Sequence, residues 1–581
     1  MLGETVVVKN FAELSDVVFR DRYALRDEHG EVIEDSQADM FTRVTKFMSA
    51  CESSEARERT YESFIQLLLE GRFIPGGRIL SAAGKKIPMM LNCFVLPLQD
   101  TMMDHPTESI LEVQKRAANI QRLGGGLGYD FTPLRPSGSV CRQSGGRASG
   151  ACSFISMFSD SFKVITQGGS RRGANMGVLW YDHPEIFDFI RYKAEHPGSW
   201  HMFNVSVGID AVFVKALKEN GVIHQRFGYD SVPARRIWEA ICEYAPTGEP
   251  GIIKFHTCNE WNNLHYIQQY RASNPCSEVP LPPNGVCCLG SINLFKHVDK
   301  EGTGWDFDLL GKSVRGAVRF LDNVLSMNYY PYPEMANVSS NERRIGLGTI
   351  GFADALLRMG CRYGSEKSLS YLGQAYEYIR DIAYDESVVL AREKGKFPLY
   401  GPSYCNSKFI QTLPKYLQND IRKYGTRNSH LLATAPTGSI SVLAQCASNG
   451  IEPIFSFDMV RKDGTGTFRV VHPIIEEISP VVGEDDYIVD AHEVTPDQHL
   501  AVLRTCQKYV DQGVSKTINI PQNFDQDDLE DTIESALNDP IIKSITLYAD
   551  QSIKDQPLSR VDKPPTTHIT ILDEFGTTSP D

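Results

Sequence analysis

No apolar run in this chain approaches the length needed to cross a bilayer, and positive charge is in deficit. With 59 Lys and Arg against 73 Asp and Glu, the net charge is −14. Phosphate neutralisation needs basic surface, so a general nucleic-acid binder is excluded, although a local basic pocket still suits a nucleotide-sized anion. The N-terminal stretch MLGETVVVKNFAEL carries acidic residues and lacks the apolar core of a signal peptide. No fixed-period repeat is present, nor a linker long enough to separate a second globular domain. The glycines at Gly124-Gly125-Gly126-Leu127-Gly128 have the wrong spacing for a dinucleotide fingerprint, and the strand–glycine–helix order is missing. Cysteine is not scarce, but the 13 are odd in number and scattered, which fits a reducing, cytoplasmic setting. A disulfide here is expected to be catalytic rather than structural. The remaining composition, 41% apolar and 23% charged, is that of a soluble globular protein with a large core.

What is present centres on Ser273-Asn274-Pro275-Cys276-Ser277-Glu278, followed by a proline-rich return to Val286-Cys287-Cys288-Leu289-Gly290. Pro275 biases Asn274 toward extended backbone. On an extended segment Asn274, Cys276 and Glu278 project to one face, joining an amide, a thiol and a carboxylate. Pro280, Pro282, Pro283 and Asn284-Gly285 then turn the chain back, so one thiol of Cys287 and Cys288, but not both, reaches that face. A loop with buried thiols explains the same residues. A zinc site is disfavoured because no C-x-x-C pair flanks the stretch and no histidine has ligand spacing. The third reading is a reactive thiol with an adjacent base and a redox partner.

Along the chain, residues 1–75 read as mostly helical, with helical apolar spacing over 40–48 and 56–69. Phe73-Ile74-Pro75-Gly76-Gly77-Arg78 marks entry to a main domain over 76–557, and Met89–Leu98 has buried-strand character around Asn92 and Cys93. Arg135 and Arg142 bracket a Pro-Ser-Gly-Ser turn. Gln167-Gly168-Gly169-Ser170-Arg171-Arg172-Gly173-Ala174-Asn175 forms a second glycine–arginine loop. Both suit bidentate phosphate recognition, or are solvated surface loops. Alternating helices and strands fill 185–270, and helical patterns are expected over 317–327 and 345–359. At Ala435-Pro436-Thr437-Gly438-Ser439-Ile440-Ser441 a strand runs into a turn that opens a helix, a potential anion site or an ordinary capped helix. A further helix over 496–512 and strands over 514–521 and 544–548 follow, and the tail over 558–581 reads as loosely ordered.

Together these pieces resemble the catalytic chain of ribonucleotide reductases, most closely the adenosylcobalamin-dependent class II branch. The resemblance rests on Asn-Pro-Cys-x-Glu at 274–278, Cys-x-Leu-Gly-Ser-Ile-Asn-Leu at 287–294 and Asn-Cys at 92–93. Also in order are Gln-Gly-Gly-x-Arg-Arg-Gly-Ala-Asn-Met-Gly-Val at 167–178, Arg-Arg-Ile-Gly-Leu-Gly at 343–348, Ala-Pro-Thr-Gly-x-Ile-Ser at 435–441 and Val-Ser-Lys-Thr-Ile-Asn at 514–519.

The resemblance implies a ten-stranded α/β barrel with a central finger loop carrying Cys276, the thiyl-radical residue. It makes Glu278 the proton acceptor, Asn274 a substrate hydrogen-bonding group, and Cys93 with Cys287 the pair oxidised to a disulfide. Pro436, Thr437, Gly438, Ser439, Ile440 and Ser441 then hold the substrate phosphates, with Asn92 and Gly126 lining the pocket. Asp100, Arg135 and Arg142 match a dNTP effector site, and loop 167–175 relays its occupancy. A ribonucleotide substrate, a thioredoxin- or glutaredoxin-like reductant and a second copy of the chain in a homodimer are the partners the resemblance implies. The segment before the main domain is too short for an ATP-cone module. The last cysteine is Cys506, so either the chain is truncated or an external reductant reaches Cys93 and Cys287 directly. No D-x-H-x-x-G motif is present, which class II reductases do not need. Ser277 stands where the family usually has glycine. Class I large subunits carry adjacent tyrosines where this chain reads Leu547-Tyr548-Ala549, and Ala549 cannot relay a radical.

Overall fold

A computed structural model describes residues 7–141, 145–167, 171–172, 174–463, 466–472, 487–521, 525–549 and 558–560. Nine strands and one bridging extended segment follow one another around a barrel, and a tenth strand of the same sheet lies off that path. In chain order the staves are β1 (Cys93–Val95), β2 (Gly126–Asp130), β3 (Asn175–Trp180), β4 (Phe203–Ile209), β5 (Gly251–Lys254), β6 (Val286–Asn293) and β7 (Ile345–Ile350). After them come the extended segment β8 (430–434), β9 (Thr517–Ile520) and β10 (Ser544–Ala549). Phe73–Pro75 lies off the path, paired antiparallel with the far half of β6.

The pairing divides the barrel into two halves. Strands β1 to β5 are parallel neighbours in sequence order. Strands β6 and β7 are parallel, as are β9 and β10, and β8 bridges the gap by parallel contacts at Leu347–Leu432 and Thr434–Val514. The halves meet antiparallel twice, at β1/β6 and at β5/β10. Strands β3 and β6 are buried along their full length, as expected where helices cover one face and a filled barrel the other.

Helices Phe11–Val18, Gln37–Ser49 and Ser54–Leu69 make up much of the N-terminal region. Asn10 and Ser36 close reciprocal caps with Glu13 and Asp39, satisfying backbone donors at the first two helix starts. Helix Phe11–Val18 docks on the short helix Ser439–Leu443, where the Ser15 hydroxyl donates to the Leu443 carbonyl at 2.9 Å. Long helices Phe307–Met327 and Glu366–Lys394 pack together outside the second half.

The helical reading of 345–359 is corrected. Ile345–Ile350 is strand β7, and a helix begins only at Phe352. Its apolar run is buried on both faces, a pattern that periodicity alone does not separate from a helix. The helix predicted over 496–512 ends at Gln507. The tail over 561–581 lies outside the described residues.

Candidate active site

The barrel is filled by a loop. Ala272–Ser273 pairs antiparallel with Pro280–Leu281, making a short two-stranded stem. Above it the Asn274 amide N–H donates to the Val279 carbonyl at 3.2 Å, and the Ser277 N–H to the Asn274 carbonyl at 3.1 Å. The Asn274 side chain closes the loop by accepting from the Val279 N–H at 2.9 Å. The tip is therefore a tight turn, and the expected extended alternation of 274, 276 and 278 is corrected. Ser277 has φ 65°, a left-handed conformation that strains a residue with a Cβ. The turn nevertheless brings Asn274, Cys276 and Glu278 into one pocket.

Two glycines leave room for this loop. A Cβ on Gly128 of β2 would stand 1.8 Å from the Ser273 carbonyl oxygen. A Cβ on Gly513 would meet the carbonyl oxygens of Ser277 and Glu278 at 2.9 Å, and its N–H donates to the latter at 2.7 Å. Asn204 on β4 steadies the tip, its side-chain N–H₂ donating to the Pro275 carbonyl at 2.9 Å.

The pocket spans about 950 Å³, mouth included. Cys276 is exposed at the tip, while Asn274 and Glu278 are buried. Burial pushes the Glu278 carboxyl up to about 7, against smaller opposing contributions from hydrogen bonding by Asn274 and its own backbone amide. Its Oε2 is buried and has no hydrogen-bond partner within the protein. A carboxylate titrating near neutrality with an oxygen to spare is equipped to accept a ligand's proton.

Cys93 on β1 and Cys287 on β6 are direct partners across the antiparallel junction. Residues so placed have Cα atoms about 4.5–5.5 Å apart, inside the roughly 4.4–6.8 Å window of a disulfide. Both thiols are reduced and buried. Burial, then the nearby Glu278, pushes the Cys93 thiol well above its ordinary range, and the Asn274 amide donates to its sulfur at 3.2 Å. Cys288 faces the other way into the helix-packed core, as strand alternation requires.

Residues 435–441 form the opposite wall. Strand β8 ends in a turn with Thr437 at φ 60° and Gly438 at φ 55°, followed by helix Ser439–Leu443. Pro436, Thr437, Gly438, Ser439 and Ile440 line the pocket with Asn92, Gly126 and Ala174. Ser441 does not: its buried hydroxyl lies 2.6 Å from the Thr437 hydroxyl. Among the lining residues that escaped the sequence reading are Tyr23 and Arg78. Tyr23 reaches over from the N-terminal region, its hydroxyl 2.5 Å from that of Ser439. Arg78 also lines the pocket, its guanidinium donating to the Leu123 carbonyl at 2.6 Å. Arg78 stood in the Gly-Gly-Arg run read only as a domain entry, whereas nothing near Tyr23 in sequence signals a ligand.

The remaining expected site residues lie elsewhere. Asp100 and Arg135 form an ion pair at 2.6 Å outside this pocket, and Arg142 lies outside the described residues. In the 167–175 loop, Gln167 pairs with Arg171 and Thr166 with Arg172 in a two-stranded ladder. Gly168, Gly169, Ser170 and Gly173 are not among the described residues. Asn175 opens β3 and is buried, its Oδ1 accepting from Gln121 at 3.0 Å and from the Tyr129 hydroxyl at 3.2 Å. Tyr548 and Ala549 end β10, opposite Asn519 and Ile520.

Comparison with known proteins agrees with this geometry. The family model "Ribonucleotide reductase, barrel domain" matches residues 91–548, and "Ribonucleotide reductase, all-alpha domain" matches residues 9–88. The chain is 33% identical to a vitamin B12-dependent ribonucleoside-diphosphate reductase of Mycobacterium tuberculosis (strain CDC 1551 / Oshkosh), covering 93% of this chain and 80% of that protein. It is 35% identical to the protein of the same name from Thermoplasma acidophilum, over 84% of this chain and 65% of the relative. A ribonucleoside-diphosphate reductase subunit alpha of Chlamydia trachomatis is 26% identical over 79% of this chain and 52% of its own length. A loop-filled barrel with this thiol arrangement and these matches establishes that the chain belongs to the ribonucleotide reductase family.

Proposed function

We propose that this chain reduces ribonucleotides to 2′-deoxyribonucleotides with adenosylcobalamin as its radical source. The observation that carries the reading is the finger loop, which presents an exposed Cys276 beside a buried carboxylate and above a thiol pair. The B12-dependent names of the relatives support the cofactor, and their substrate class points to a ribonucleoside diphosphate. The residues fit such a radical source: Cys276 is exposed at the loop tip and lines the pocket, open to a group bound beside it, and Tyr548 is followed by Ala549 rather than by a second phenol. When bound, adenosylcobalamin supplies a radical equivalent by homolysis of its cobalt–carbon bond.

The protein's own residues do the rest. Residues 435–440, with Arg78 and Tyr23, hold the substrate phosphates and seat the ribose over the thiols. Cys276, as a thiyl radical, takes the 3′ hydrogen atom, and Glu278 takes the proton of the 3′ hydroxyl. Asn274 keeps the sugar in register by hydrogen bonds. The 2′ hydroxyl leaves as water with a proton from one thiol of the Cys93–Cys287 pair, and the pair delivers the second hydrogen to C2′ as it becomes a disulfide. Cys276 returns its hydrogen atom to C3′ and is again a thiyl radical, and Glu278 returns its proton to the 3′ oxygen. Asp100 and Arg135, with Arg142, bind a dNTP effector, and loop 167–175 connects it to the pocket through Ala174. A dithiol protein of thioredoxin or glutaredoxin type restores the thiols. The reduced cysteines suit the cytoplasm. Among the described residues no helix is long and apolar enough to cross a membrane.

The test is an anaerobic assay of purified chain with adenosylcobalamin, dithiothreitol and a ribonucleoside diphosphate, without any second subunit. Deoxynucleotide formation is expected. Activity only when an iron- or manganese-containing subunit is added, with loss in Tyr548→Phe, would replace the cofactor reading with a tyrosine relay.

A further inference from the structure

The two thiols of the proposed redox pair differ in what stands behind them. Cys93 lines the pocket and is 3% exposed, whereas Cys287 is 0% exposed and absent from the lining. The Cys287 thiol instead lies between two acceptors, the Cys288 carbonyl at 3.8 Å and Gln512 Oε1 at 3.9 Å. That amide cannot turn over without loss, because its Nε2 donates to the carbonyls of Ile345 at 2.8 Å and Leu432 at 3.1 Å. The same Oε1 accepts from Arg344 Nη1 at 3.3 Å. Arg344 is fully buried and tethered by the Tyr270 hydroxyl at 2.9 Å and Glu342 at 3.1 Å. A buried guanidinium is thus fixed one amide away from Cys287, on the side remote from the pocket.

We propose that reduction of the Cys93–Cys287 disulfide is directional: the incoming dithiol attacks Cys93, and Cys287 is the leaving sulfur, with Gln512 and Arg344 as its positioning residues. This rests on the redox-pair reading given above. The reductant's thiolate reaches Cys93 Sγ through the pocket and forms a new S–S bond there. The Cys93–Cys287 bond breaks and its electron pair passes to Cys287 Sγ. The thiolate so formed lies in the field of Arg344, takes up a proton, and returns to donating toward Gln512. The reductant's second thiolate then attacks its own sulfur in the mixed disulfide, releasing Cys93 as a thiol and the reductant as a disulfide. Burial pushes the Cys287 thiol well above its ordinary range, Glu278 and Asp511 push it the same way, and Arg344 is the largest influence holding it down. Exchange quickens as the leaving thiol becomes more acidic, so the guanidinium opposes the penalty that burial puts on this leaving sulfur. A lone cation next to an apolar wall would be costly to bury, and Glu342 offsets that cost without reaching Cys287.

The direction is tested by trapping. The single variants Cys287→Ser and Cys93→Ser are treated with dipyridyl disulfide in the folded chain, and positions 93 and 287 are read by peptide mass spectrometry. Cys93 in Cys287→Ser is expected to hold a stable mixed disulfide, with Cys287 in Cys93→Ser labelled at least about tenfold more slowly. Equal or faster labelling of Cys287 would overturn the proposal. Arg344 is tested in the turning-over enzyme with dithiothreitol. Arg344→Met is expected to slow turnover about tenfold, because the leaving thiol becomes less acidic, and to accumulate the Cys93–Cys287 disulfide in the steady state. Arg344→Lys should restore most of the rate. A slow Arg344→Met whose cysteines stay reduced, or no rescue by lysine, would remove Arg344 from the step. If Cys93→Ser and Cys287→Ser both sustain repeated turnover, it is the redox-pair reading itself that fails.

Discussion

On the outer face of the barrel wall, Val286, Cys288 and Ile292 of β6 join a core continuous with the surrounding helices. On the inner face of the same strand, Cys287 and Leu289 share a small cluster with Cys93, Val95, Val279, Leu281 and Ala433. The outer core is large, apolar and redundant, so single changes there are buffered. The inner cluster is small, and it exists because a loop rather than facing staves fills the barrel. Stability resides mostly outside, and chemistry inside, so the same substitution has different consequences one residue apart.

The largest effect is expected at the loop tip. Cys276→Ser should reduce deoxynucleotide formation to background while changing the unfolding free energy by no more than an exposed substitution does, roughly ±0.5 kcal/mol. Substantial turnover by this variant would break the assignment of the inner face as the reactive one. Next comes the adjacent pair: Cys287→Ser should stop repeated turnover with dithiothreitol, whereas Cys288→Ser should keep it. The latter variant instead loses about 1–3 kcal/mol of stability by burying a hydroxyl in the outer core. If activity tracked Cys288, the register of β6 would be wrong.

Gly128→Ala sharpens the contrast between loop and wall. Its Cβ would collide with the Ser273 backbone, which cannot move without shifting the finger. Activity should collapse together with a stability loss of about 3 kcal/mol, measured by denaturant unfolding. An active, stable Gly128→Ala would mean that the finger tolerates displacement.

Glu278 tests the cost of the inner face. Its folded-state value of about 7 lies above the ordinary 4.5, so burying the carboxylate lowers stability as pH rises through 7. The stabilising contribution is complete below the unfolded value and lost above the folded one. Glu278→Gln should therefore unfold at higher denaturant than the parent at pH 8, by up to roughly 3 kcal/mol, with the difference vanishing near pH 4. Its turnover should fall at every pH, and the parent's should decline below about pH 7 as the base is protonated. A parent profile flat from pH 5 to 8 would exclude Glu278 as the base. The smallest effect belongs to Ser277→Gly, which relieves a positive φ and should stabilise by about 1 kcal/mol without loss of turnover.

Much of this site is legible before any fold is known, because its chemistry lies in short contiguous words. Asn274, Cys276 and Glu278 sit within five residues of one another, and the alternation of Cys287 and Cys288 follows from strand geometry alone. The route to the tip was misjudged, since Pro275 permits a turn as readily as extended backbone and only the packing against Gly128 and Gly513 chooses between them. Strand β7 was read as helix for a related reason: burial on both faces erases period two. Tyr23, Arg78 and Gln512 stayed invisible because each reaches its place through tertiary contact, far from the residues it serves. Ser441 shows the converse, a residue inside the right motif whose hydroxyl is spent on Thr437.

The antiparallel junction between β1 and β6 has one further consequence. It is one of two places where the half-barrels meet, and it is where Cys93 faces Cys287. A bond between them would close a loop of roughly 190 residues, and a cross-link of that span restricts the unfolded chain by about 5 kcal/mol. On the proposed chemistry, each product released leaves the two halves riveted together, and each reductive step draws the rivet again. The enzyme waiting for its reductant is then the form most resistant to heat and proteases, and the enzyme ready for substrate is the softer one.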